Sequence, residues 1–260
     1  MLAMTAQWMQ LDHLHGNSVA PVLISRKQGR QKSTFCKLLL PTALQRYYTD
    51  SIDLNAPTQM ERKLSLFRLV NLDEFDKIPP KRMPLLKNLM QMAELNIRKA
   101  YQKSYTSLPR LASFIATSNQ KELLSDPSGS RRFLCIEVED KIDCSPIDHD
   151  QIYAQLKAGL SSGERYWFTS EEETEIMASN TKFYKQTIEK DIFHTCFRQA
   201  SKSEHPLLLS AAEIFECMKK QNPTAMLGTT ANRIGSFLNN LGIERVHTRY
   251  GNRYKVMAWE

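Results

Sequence analysis

The sequence has few cysteines and no long hydrophobic run, and each shortage excludes a class of protein. The five cysteines are odd in number and include no C-x-x-C pair, which argues against a disulfide framework and a zinc knuckle. No apolar stretch approaches the roughly 18–20 residues that span a bilayer. The amino terminus also lacks the basic, apolar and small-residue pattern of a secretory signal. We therefore expect a cytoplasmic protein with reduced thiols and no membrane partner.

The remaining composition is that of a folded protein with excess positive charge. The 260 residues are 42% hydrophobic and 24% charged, which is ordinary for a globular chain of one or two domains. The formal net charge is +7 and the isoelectric point is about 9.1. Such a chain concentrates anions near its surface, so polyphosphate or nucleic acid is the expected kind of partner.

Apolar segments alternate with helical segments along the first 150 residues. Buried strands are predicted for the runs APVLIS, RYYTDSIDL, LFRLVNLDEF, SFIATSN and RRFLCIEVED. Helices are predicted for KSTFCKLLLP, APTQMERKLSL and MPLLKNLMQMAEL. This alternation predicts an α/β fold with a mostly parallel sheet that helices cover on both faces.

The pattern of predicted helices and strands changes twice after residue 150. The segments HDQIYAQLKAGL, TSEEETEIMASNTKF and IEKDIFHTCFRQA read as helices. From about residue 205, two helices are followed by alternating strands around Tyr250-Gly251-Asn252, which is the element order of a winged helix. The predicted domains are an N-terminal helix and linker (1–18), a core (19–150), a helical lid or connector (151–204) and a winged-helix-like C-terminal module (205–260).

The first candidate site is a basic loop between the first strand and the next helix. The arrangement of strand, loop, Lys-Ser-Thr and helix is that of a P-loop, whose backbone N–H groups surround phosphate oxygens. Lys32 would supply charge at the β- and γ-phosphates, and the Ser33 hydroxyl would bind Mg²⁺. The predicted ATP-binding residues are Gln28, Gly29, Arg30, Gln31, Lys32, Ser33 and Thr34.

Two glycines of the usual pattern G-x-x-x-x-G-K-[ST] are missing from this loop. Arg26 and Gln31 stand at those two positions, and Gly29 alone remains. Glycine there allows a positive φ or a close approach of the backbone to phosphate. Two alternatives are therefore open, namely a basic loop that caps a helix or a P-loop that has lost its nucleotide.

Two later strands end in polar residues that suit a P-loop. Asp73 is expected to bind Mg²⁺ and Glu74 to act on the attacking water. Asn119, at the end of SFIATSN, is the candidate sensor of the γ-phosphate. The alternatives are ordinary solvated strand ends, because Asp, Glu and Asn are common there.

A turn at Gly129-Ser130-Arg131-Arg132-Phe133 offers a further catalytic element. Arg131 or Arg132 could act as an arginine finger on the ATP site of a neighbouring subunit. The alternative is a basic turn that packs against a carboxylate.

The motifs KQGRQKSTF, VNLDEFD, SFIATSN and GSRRF, in this order, resemble the virulence-associated protein E family. That family comprises P-loop ATPase domains similar to the helicase part of phage and plasmid primases and related to superfamily-three helicases and the AAA+ class. The resemblance covers roughly the first 140 residues. The tail from about Glu189 resembles a domain of unknown function that follows such ATPases in Bacteroides-like bacteria.

The resemblance implies a P-loop NTPase (AAA+-like) fold and a role for each motif. It implies Lys32 and Ser33 at the phosphates and Mg²⁺, with Asp73 on the metal and Glu74 as base. Asn119 would be the sensor, and Arg131 or Arg132 the finger in a homo-oligomeric ring. A primase-type domain often precedes the ATPase in this family, so a primase domain or protein is an expected partner.

Two basic segments are candidates for contact with nucleic acid, most simply DNA. In the first, positive charge alternates with aromatic residues, which suits a single strand; its predicted contacts are Arg98, Lys99, Tyr101 and Lys103. The second is the terminal hairpin with Arg249, Arg253 and Lys255, which could lie along duplex phosphates. The alternatives are a solvated hairpin in the first case and a protein-interaction module in the second.

The sequence therefore predicts an ATP-dependent, helicase-like protein that handles nucleic acid in the replication of a mobile element. The competing hypothesis is a nucleotide-free remnant that acts as a DNA-binding or assembly module, since Gln31 replaces a glycine of the P-loop. His13 and His15 lie close in sequence without neighbouring metal ligands, so no other metal site is expected.

Overall fold

The computed structural model describes residues 1–11, 15–98, 104–125, 127–185, 188–200 and 204–259. The chain forms two compact units. The first consists of Met1–Ser125 and Gly129–Tyr184, and the second consists mainly of Lys185–Glu260. Within the described ranges, every helix is too short or too polar to cross a lipid bilayer.

The first unit alternates helices and strands, as the sequence predicts. Its helices are α1 (Leu2–Trp8), α2 (Lys32–Leu38), α3 (Pro57–Leu66), α4 (Met83–Gln91), α5 (His149–Ser161) and α6 (Ser170–Ser179). Its strands are β1 (Ala20–Ile24), β2 (Tyr48–Thr49), β3 (Leu69–Leu72), β4 (Glu94–Arg98), β5 (Tyr105–Pro109), β6 (Ser113–Ser118) and β7 (Phe133–Glu137). Short 3₁₀ helices lie at Thr42–Tyr47, Phe75–Lys77, Pro80–Arg82, Pro127–Arg132 and Asn180–Phe183.

Five strands form one parallel sheet in the order β2-β3-β6-β1-β7. Strand β1 lies between β6 and β7, where Val22 pairs with both Ala116 and Cys135. On the other side of β6, Leu72 of β3 pairs with Ala116. Strands β3 and β6 are buried along their whole length, as their nearly continuous apolar runs predict for a sheet covered on both faces. The expected α/β class is confirmed.

Alternate strand residues enter two hydrophobic clusters, because successive side chains of a strand point to opposite faces. In one cluster Leu23, Leu69 and Ile115 pack with Cys36 of α2. The other cluster contains Val22, Val70, Phe114 and Ala116 from the strands together with Met60 and Leu64 from α3 and Leu86, Leu89 and Met90 from α4. Helices therefore cover both faces of the sheet.

Two boundaries in the first unit differ from the sequence prediction. Helix α4 ends at Gln91 and does not continue through Leu95, because the backbone becomes extended at Met92 and strand β4 begins at Glu94. Leu95 and Ile97 are buried in the antiparallel hairpin that β4 forms with β5. Strand β2 keeps only two residues, since the segment before it forms the 3₁₀ helix at Thr42–Tyr47.

Strand β7 is an edge strand whose outer side is closed by one side chain. The Asn180 amide is buried, and its Nδ2 donates to the carbonyl oxygens of Ser130 at 3.0 Å and Phe133 at 2.8 Å. Its Oδ1 accepts from the backbone N–H of Cys135 at 3.4 Å. A single amide thus supplies the donor and acceptor that a neighbouring strand would otherwise supply.

The second unit combines three helices with short antiparallel strands. Its elements are α7 (Ile188–Cys196), β8 (Phe197–Gln199), β9 (Leu207–Leu209), α8 (Ala211–Gln221), α9 (Ala231–Asn240), β10 (Arg245–Thr248) and β11 (Gly251–Ala258). Strand β11 pairs with β10, β9 and β8. Its own hydrophobic cluster includes Phe193, Ile214, Ile234, Leu238 and Val256.

Local sequence signals explain the start of α8 and the end of α9 in the second unit. Ser210 caps α8 and forms a capping box with Glu213, as its position predicts. Gly242 has a φ of +72° just after α9, where glycine ends a helix without strain. The helix predicted to run to Ala200 ends at Cys196, because Phe197–Gln199 pairs with β11.

Candidate functional site

Three neighbouring strands of the parallel sheet end at one edge and carry the predicted site residues. The loop after β1 leads to Lys32, Asp73 follows β3, and Asn119 follows β6. In open α/β sheets, ligands bind outside the carboxyl ends of the strands, where successive connections leave in opposite directions. Here the chain runs from β1 to β2 at one edge of the sheet and from the adjacent β6 to β7 at the other edge, so the loop after β1 lies at such a point.

The loop between β1 and α2 contains two residues in the left-handed region. Gly29 has a φ of +73° and Gln31 a φ of +61° with a ψ of +24°. Gln31 stands where the P-loop pattern has its second glycine, so its backbone keeps the conformation that glycine adopts readily. A non-glycine residue in this region costs roughly 1–3 kcal/mol. The missing glycine therefore adds strain but leaves the turn in place.

The other loop residues are mostly open to solvent. Gln28, Ser33 and Thr34 are exposed. Arg30 is half-buried; its guanidinium lies 3.8 Å from the Asp140 carboxylate, and its carbonyl oxygen accepts a hydrogen bond from the Ile142 N–H.

Lys32 is a buried cation at the start of α2. Its side chain is held by the Asn119 amide, since Nζ donates to Oδ1 at 2.9 Å. Burial lowers the pKa of Lys32, and the nearby Asp73 carboxylate opposes that shift. Burial also raises the pKa of the neighbouring Cys36 thiol to about 12, so this cysteine is a packing residue and not a nucleophile. The ammonium of Lys32 is thus fixed beside a polar strand end.

Asp73 connects the helix α2 to the end of β6. Its Oδ1 accepts a hydrogen bond from the Ser33 hydroxyl at 3.2 Å and another from the Thr117 hydroxyl. A carboxylate and a hydroxyl are oxygen ligands of the kind that Mg²⁺ prefers. The donor set therefore fits the predicted Mg²⁺, with part of the coordination left to phosphate and water.

Glu74 lies in a strained turn immediately after Asp73. Its φ is +51°, in the left-handed region, and its carboxylate pairs with Lys77 Nζ at 2.6 Å. This contact raises the pKa of Lys77. The same turn is tied to β6, because the Ser118 hydroxyl donates to Asp76 Oδ1 at 2.6 Å. Glu74 is thus exposed next to the Lys32 and Asp73 group with its carboxylate held within its own turn.

Sequence reasoning missed Thr117 and Ser118 as members of this group. The tripeptide Thr117-Ser118-Asn119 supplies one polar contact each to Asp73, Asp76 and Lys32. The signal was present, since three consecutive polar residues follow the apolar run at 114–116. Which acceptor each would meet depends on the strand register, which the sequence does not state.

The two arginines of the predicted finger differ in their surroundings. Arg131 Nη1 lies 2.9 Å from Glu173 Oε2 on α6, so within this chain it packs against a carboxylate. Arg132 is half-buried at the end of the 3₁₀ helix before β7. Their function toward a neighbouring subunit stays a prediction.

The first predicted nucleic-acid segment is only partly described. Lys99, Tyr101 and Lys103 lie outside the described residues, and the backbone of Arg98 ends strand β4. Tyr105, which begins β5, is 66% exposed. The described residues on either side of the segment belong to two strands, β4 and β5, that pair antiparallel.

The charged residues of the second predicted segment differ in their contacts. Arg253 forms an ion pair with Glu213, and Lys255 forms one with Glu244. Arg249 instead lies over the ring of Tyr250, with its guanidinium carbon 4.6 Å from the ring centroid. Tyr250 is 72% exposed, so the turn of the hairpin presents a cation and an aromatic face together.

Within the part of the chain that the structure describes, acidic, histidine and cysteine side chains do not gather into a metal-binding cluster. Across the described ranges, no group of three or more His, Cys, Asp and Glu side chains could hold a metal ion. Any Mg²⁺ at Ser33 and Asp73 would therefore depend on phosphate oxygens and water for the rest of its ligands.

Comparisons with solved structures give weak overall similarity. Three apo structures of the NrS-1 C-terminal region match with 21%, 17% and 15% sequence identity and TM-scores of 0.37, 0.41 and 0.43. The matches cover 69%, 99% and 99% of this chain, which spans 38%, 71% and 71% of those chains. No curated protein matches the sequence.

Family models match both parts of the chain. Residues 186–256 match a domain of unknown function from B. theta (DUF3874). Residues 16–185, more than half of the chain, match the virulence-associated protein E-like domain. The chain therefore belongs to the virulence-associated protein E-like domain family.

Proposed function

We propose that the first unit binds Mg-ATP at the carboxyl edge of its parallel sheet and hydrolyses it. The observation that carries the proposal is the convergence of Lys32, Asn119, Ser33 and Asp73 through two hydrogen bonds of 2.9 and 3.2 Å. These residues come from three separate strand ends, and they combine a cation, a hydroxyl and a carboxylate. That is the set of groups that a triphosphate and its metal require.

The ATP-binding residues in this proposal are Gln28 to Thr34. Backbone N–H groups of the loop and of the first turn of α2 would donate to phosphate oxygens. Lys32 would exchange its contact with Asn119 for a phosphate oxygen, and its burial makes that charge more effective. Ser33 and Asp73 would hold Mg²⁺, which neutralises negative charge on the phosphates when bound.

In the hydrolysis step, each of the remaining predicted site residues would have one role. Glu74 would orient and deprotonate the attacking water, after its carboxylate leaves Lys77. Asn119, once released by Lys32, would act as the sensor beside the γ-phosphate. Arg131 or Arg132 would stabilise transition-state charge in the site of a neighbouring subunit, which requires a homo-oligomeric ring.

The wider function in this proposal is helicase-like handling of nucleic acid in the replication of a mobile element. Family membership supports the proposal, together with the net charge of +7. The chain would comprise a P-loop NTPase core (19–150) with an N-terminal linker (1–18) and a helical lid (151–204). Residues 205–260 would form a winged-helix-like module that binds DNA, and a primase domain or protein would be the partner.

A second candidate function is a nucleotide-free DNA-binding or assembly module. Two observations favour it: Gln31 is strained where a glycine is usual, and the Lys32 ammonium already has a partner in Asn119. In that case the same contacts would only stabilise the fold.

Nucleotide binding and hydrolysis by the full chain distinguish the two candidates. We expect Mg-ATP to raise the melting temperature and single-stranded DNA to stimulate hydrolysis. Lys32→Ala should weaken binding about 10- to 100-fold, because it removes a hydrogen-bonding charge. Glu74→Gln should keep binding and slow hydrolysis by at least about 100-fold.

Lys37→Ala is the matched control, since Lys37 is an exposed lysine on the same helix. It should bind and hydrolyse ATP like the wild type. Absence of a thermal shift in the wild type, or equal activity of all four proteins, would reject the enzyme and favour the nucleotide-free module.

A further inference from the structure

The strand register sets Thr117 beside Asp73. In the parallel pair formed by β3 and β6, Leu72 is opposite Ala116. The next residues on each strand are Asp73 and Thr117, so the two side chains meet where the paired ladder ends. Thr117 lies on the same face of β6 as Ile115, and Ile115 packs with Cys36 of α2. The Thr117 side chain is therefore enclosed between the sheet and the helix that carries Lys32 and Ser33.

Two hydroxyls donate to the same oxygen of Asp73, but their surroundings differ. Ser33 is exposed in the first turn of α2, whereas Thr117 is 2% exposed within a strand. An ionised carboxylate only accepts hydrogen bonds, so each hydroxyl must donate its proton to it. Ser33 can turn its oxygen toward a cation by rotating one bond. Thr117 is β-branched and packed, so its rotamer is restricted.

We propose that Thr117 is a positioning residue that holds the Asp73 carboxylate in place for Mg²⁺. The inference rests on the proposed function of the first unit. When Ser33 becomes a metal ligand, its exposed side chain is free to change rotamer, whereas the bond from the buried Thr117 remains to restrict rotation of the carboxylate. One oxygen of Asp73 stays occupied by Thr117, and the carboxylate is presented to the metal in a single orientation.

Residues that orient metal ligands in this way have a characteristic effect on metal affinity. Removing such a partner typically lowers metal affinity about 10- to 100-fold. We therefore expect Thr117→Val, which keeps the shape and removes the hydroxyl, to need about 10- to 100-fold more Mg²⁺ for half-maximal binding of a fluorescent ATP analogue. Binding of the analogue in EDTA should not change.

Matched variants separate positioning from a general loss of structure. Thr117→Ser keeps the hydroxyl and should return the Mg²⁺ requirement close to that of the wild type. Thr49→Val makes the same replacement on strand β2 of the same sheet and should leave the requirement unchanged. In an Asp73→Asn background, Thr117→Val should have no further effect, because the carboxylate that it orients is absent. Thr117→Ala provides a second hydroxyl-free variant if the valine variant does not fold.

The outcomes are distinct. An unchanged Mg²⁺ requirement in Thr117→Val and Thr117→Ala would overturn the inference, as would an equal loss of binding with and without Mg²⁺. A serine variant no better than valine would also overturn it. Failure of the wild type to bind the analogue with Mg²⁺ would overturn the proposed function itself, and the inference with it.

Discussion

In the first unit, polar side chains at the sheet edge bond to residues that come from other segments of the chain, whereas in the second unit charged side chains form separate ion pairs. Lys32, Ser33, Thr117 and Ser118 each donate across to another element. The second unit holds the pairs Arg198–Glu204, Arg233–Glu189, Arg253–Glu213 and Lys255–Glu244.

The candidate site and the larger share of the net positive charge therefore lie in different units of this molecule. Residues 185–260 contain eleven Lys and Arg against seven Asp and Glu, so this smaller part carries more than half of the net charge. Exposed ion pairs contribute roughly 0–1 kcal/mol each and fix little structure. A network of buried or half-buried contacts restricts several side chains together. Side-chain hydrogen bonds that converge at the sheet edge therefore identify the candidate site better than the distribution of net charge does.

The prediction with the largest expected effect tests whether the two units unfold independently of each other. Phe193 is fully buried in the second unit, with its ring centroid 5.7 Å from that of Phe197 and 5.9 Å from that of Phe237. Phe193→Ala should destabilise that unit by about 3–5 kcal/mol, because it leaves a cavity. Hydrogen exchange should then show lost amide protection in β11 and unchanged protection in β1, β3 and β6.

Phe168→Ala is the control, since Phe168 belongs to the first unit and is 42% exposed. It should change stability by no more than about 0.5 kcal/mol. Equal loss of protection in both units after Phe193→Ala would mean that the chain unfolds as one cooperative body, and the comparison of two units would fail.

A smaller effect is expected from the charges of the terminal hairpin. Arg249 lies over Tyr250, while Arg253 is neutralised by Glu213. Arg249→Ala should therefore weaken DNA binding more than Arg253→Ala does, and it should reduce the slope of log affinity against log salt by about one. Fluorescence anisotropy with duplex and single-stranded DNA at several salt concentrations measures both quantities.

Glu213→Gln sharpens this test, because it releases Arg253 from its ion pair and should strengthen binding. A larger loss from Arg253→Ala than from Arg249→Ala would contradict the assignment. Identical binding by all variants would exclude the hairpin as a DNA contact.

The smallest expected effect concerns the strain at Gln31. Glycine adopts a positive φ without strain but costs roughly 0.5–1 kcal/mol in chain entropy. Gln31→Gly should therefore stabilise the first unit by no more than about 1 kcal/mol, a rise in melting temperature of roughly 2–4 °C. It should also tighten Mg-ATP binding, whereas Gln10→Gly relieves a similar positive φ of 56° after α1 and should leave binding unchanged. A lower melting temperature for Gln31→Gly would show that the glutamine side chain makes a needed contact.

Much of the first unit was predictable, because its apolar runs are long and end in polar residues. Strands β1, β3 and β6 follow from those runs, and parallel pairing brings Lys32, Asp73 and Asn119 to one edge. The hydrogen bonds of Thr117 and Ser118 were not predictable, since they depend on a register that only the folded sheet defines. Glutamine rarely adopts a positive φ, so the conformation of Gln31 is imposed by the surrounding turn and could not be predicted from the residue itself.

The second unit was harder to predict, because its strands are short and pair over long distances in sequence. Strand β8 has only three residues and its partner β11 lies more than fifty residues later. Nothing in the local run from Ile188 to Ala200 marks the change from helix to strand. Helix α8 was easier, because Ser210 and Glu213 form a local signal that needs no distant partner.

The amide of Asn180 has a consequence for how copies of this chain can assemble. Because it occupies backbone groups of Ser130, Phe133 and Cys135, strand β7 cannot accept a strand from another molecule there without giving up those bonds. At this edge of the sheet, a neighbouring subunit in a ring would then have to join through side chains and helices. Neighbouring subunits could in that case rotate against each other without breaking a continuous sheet.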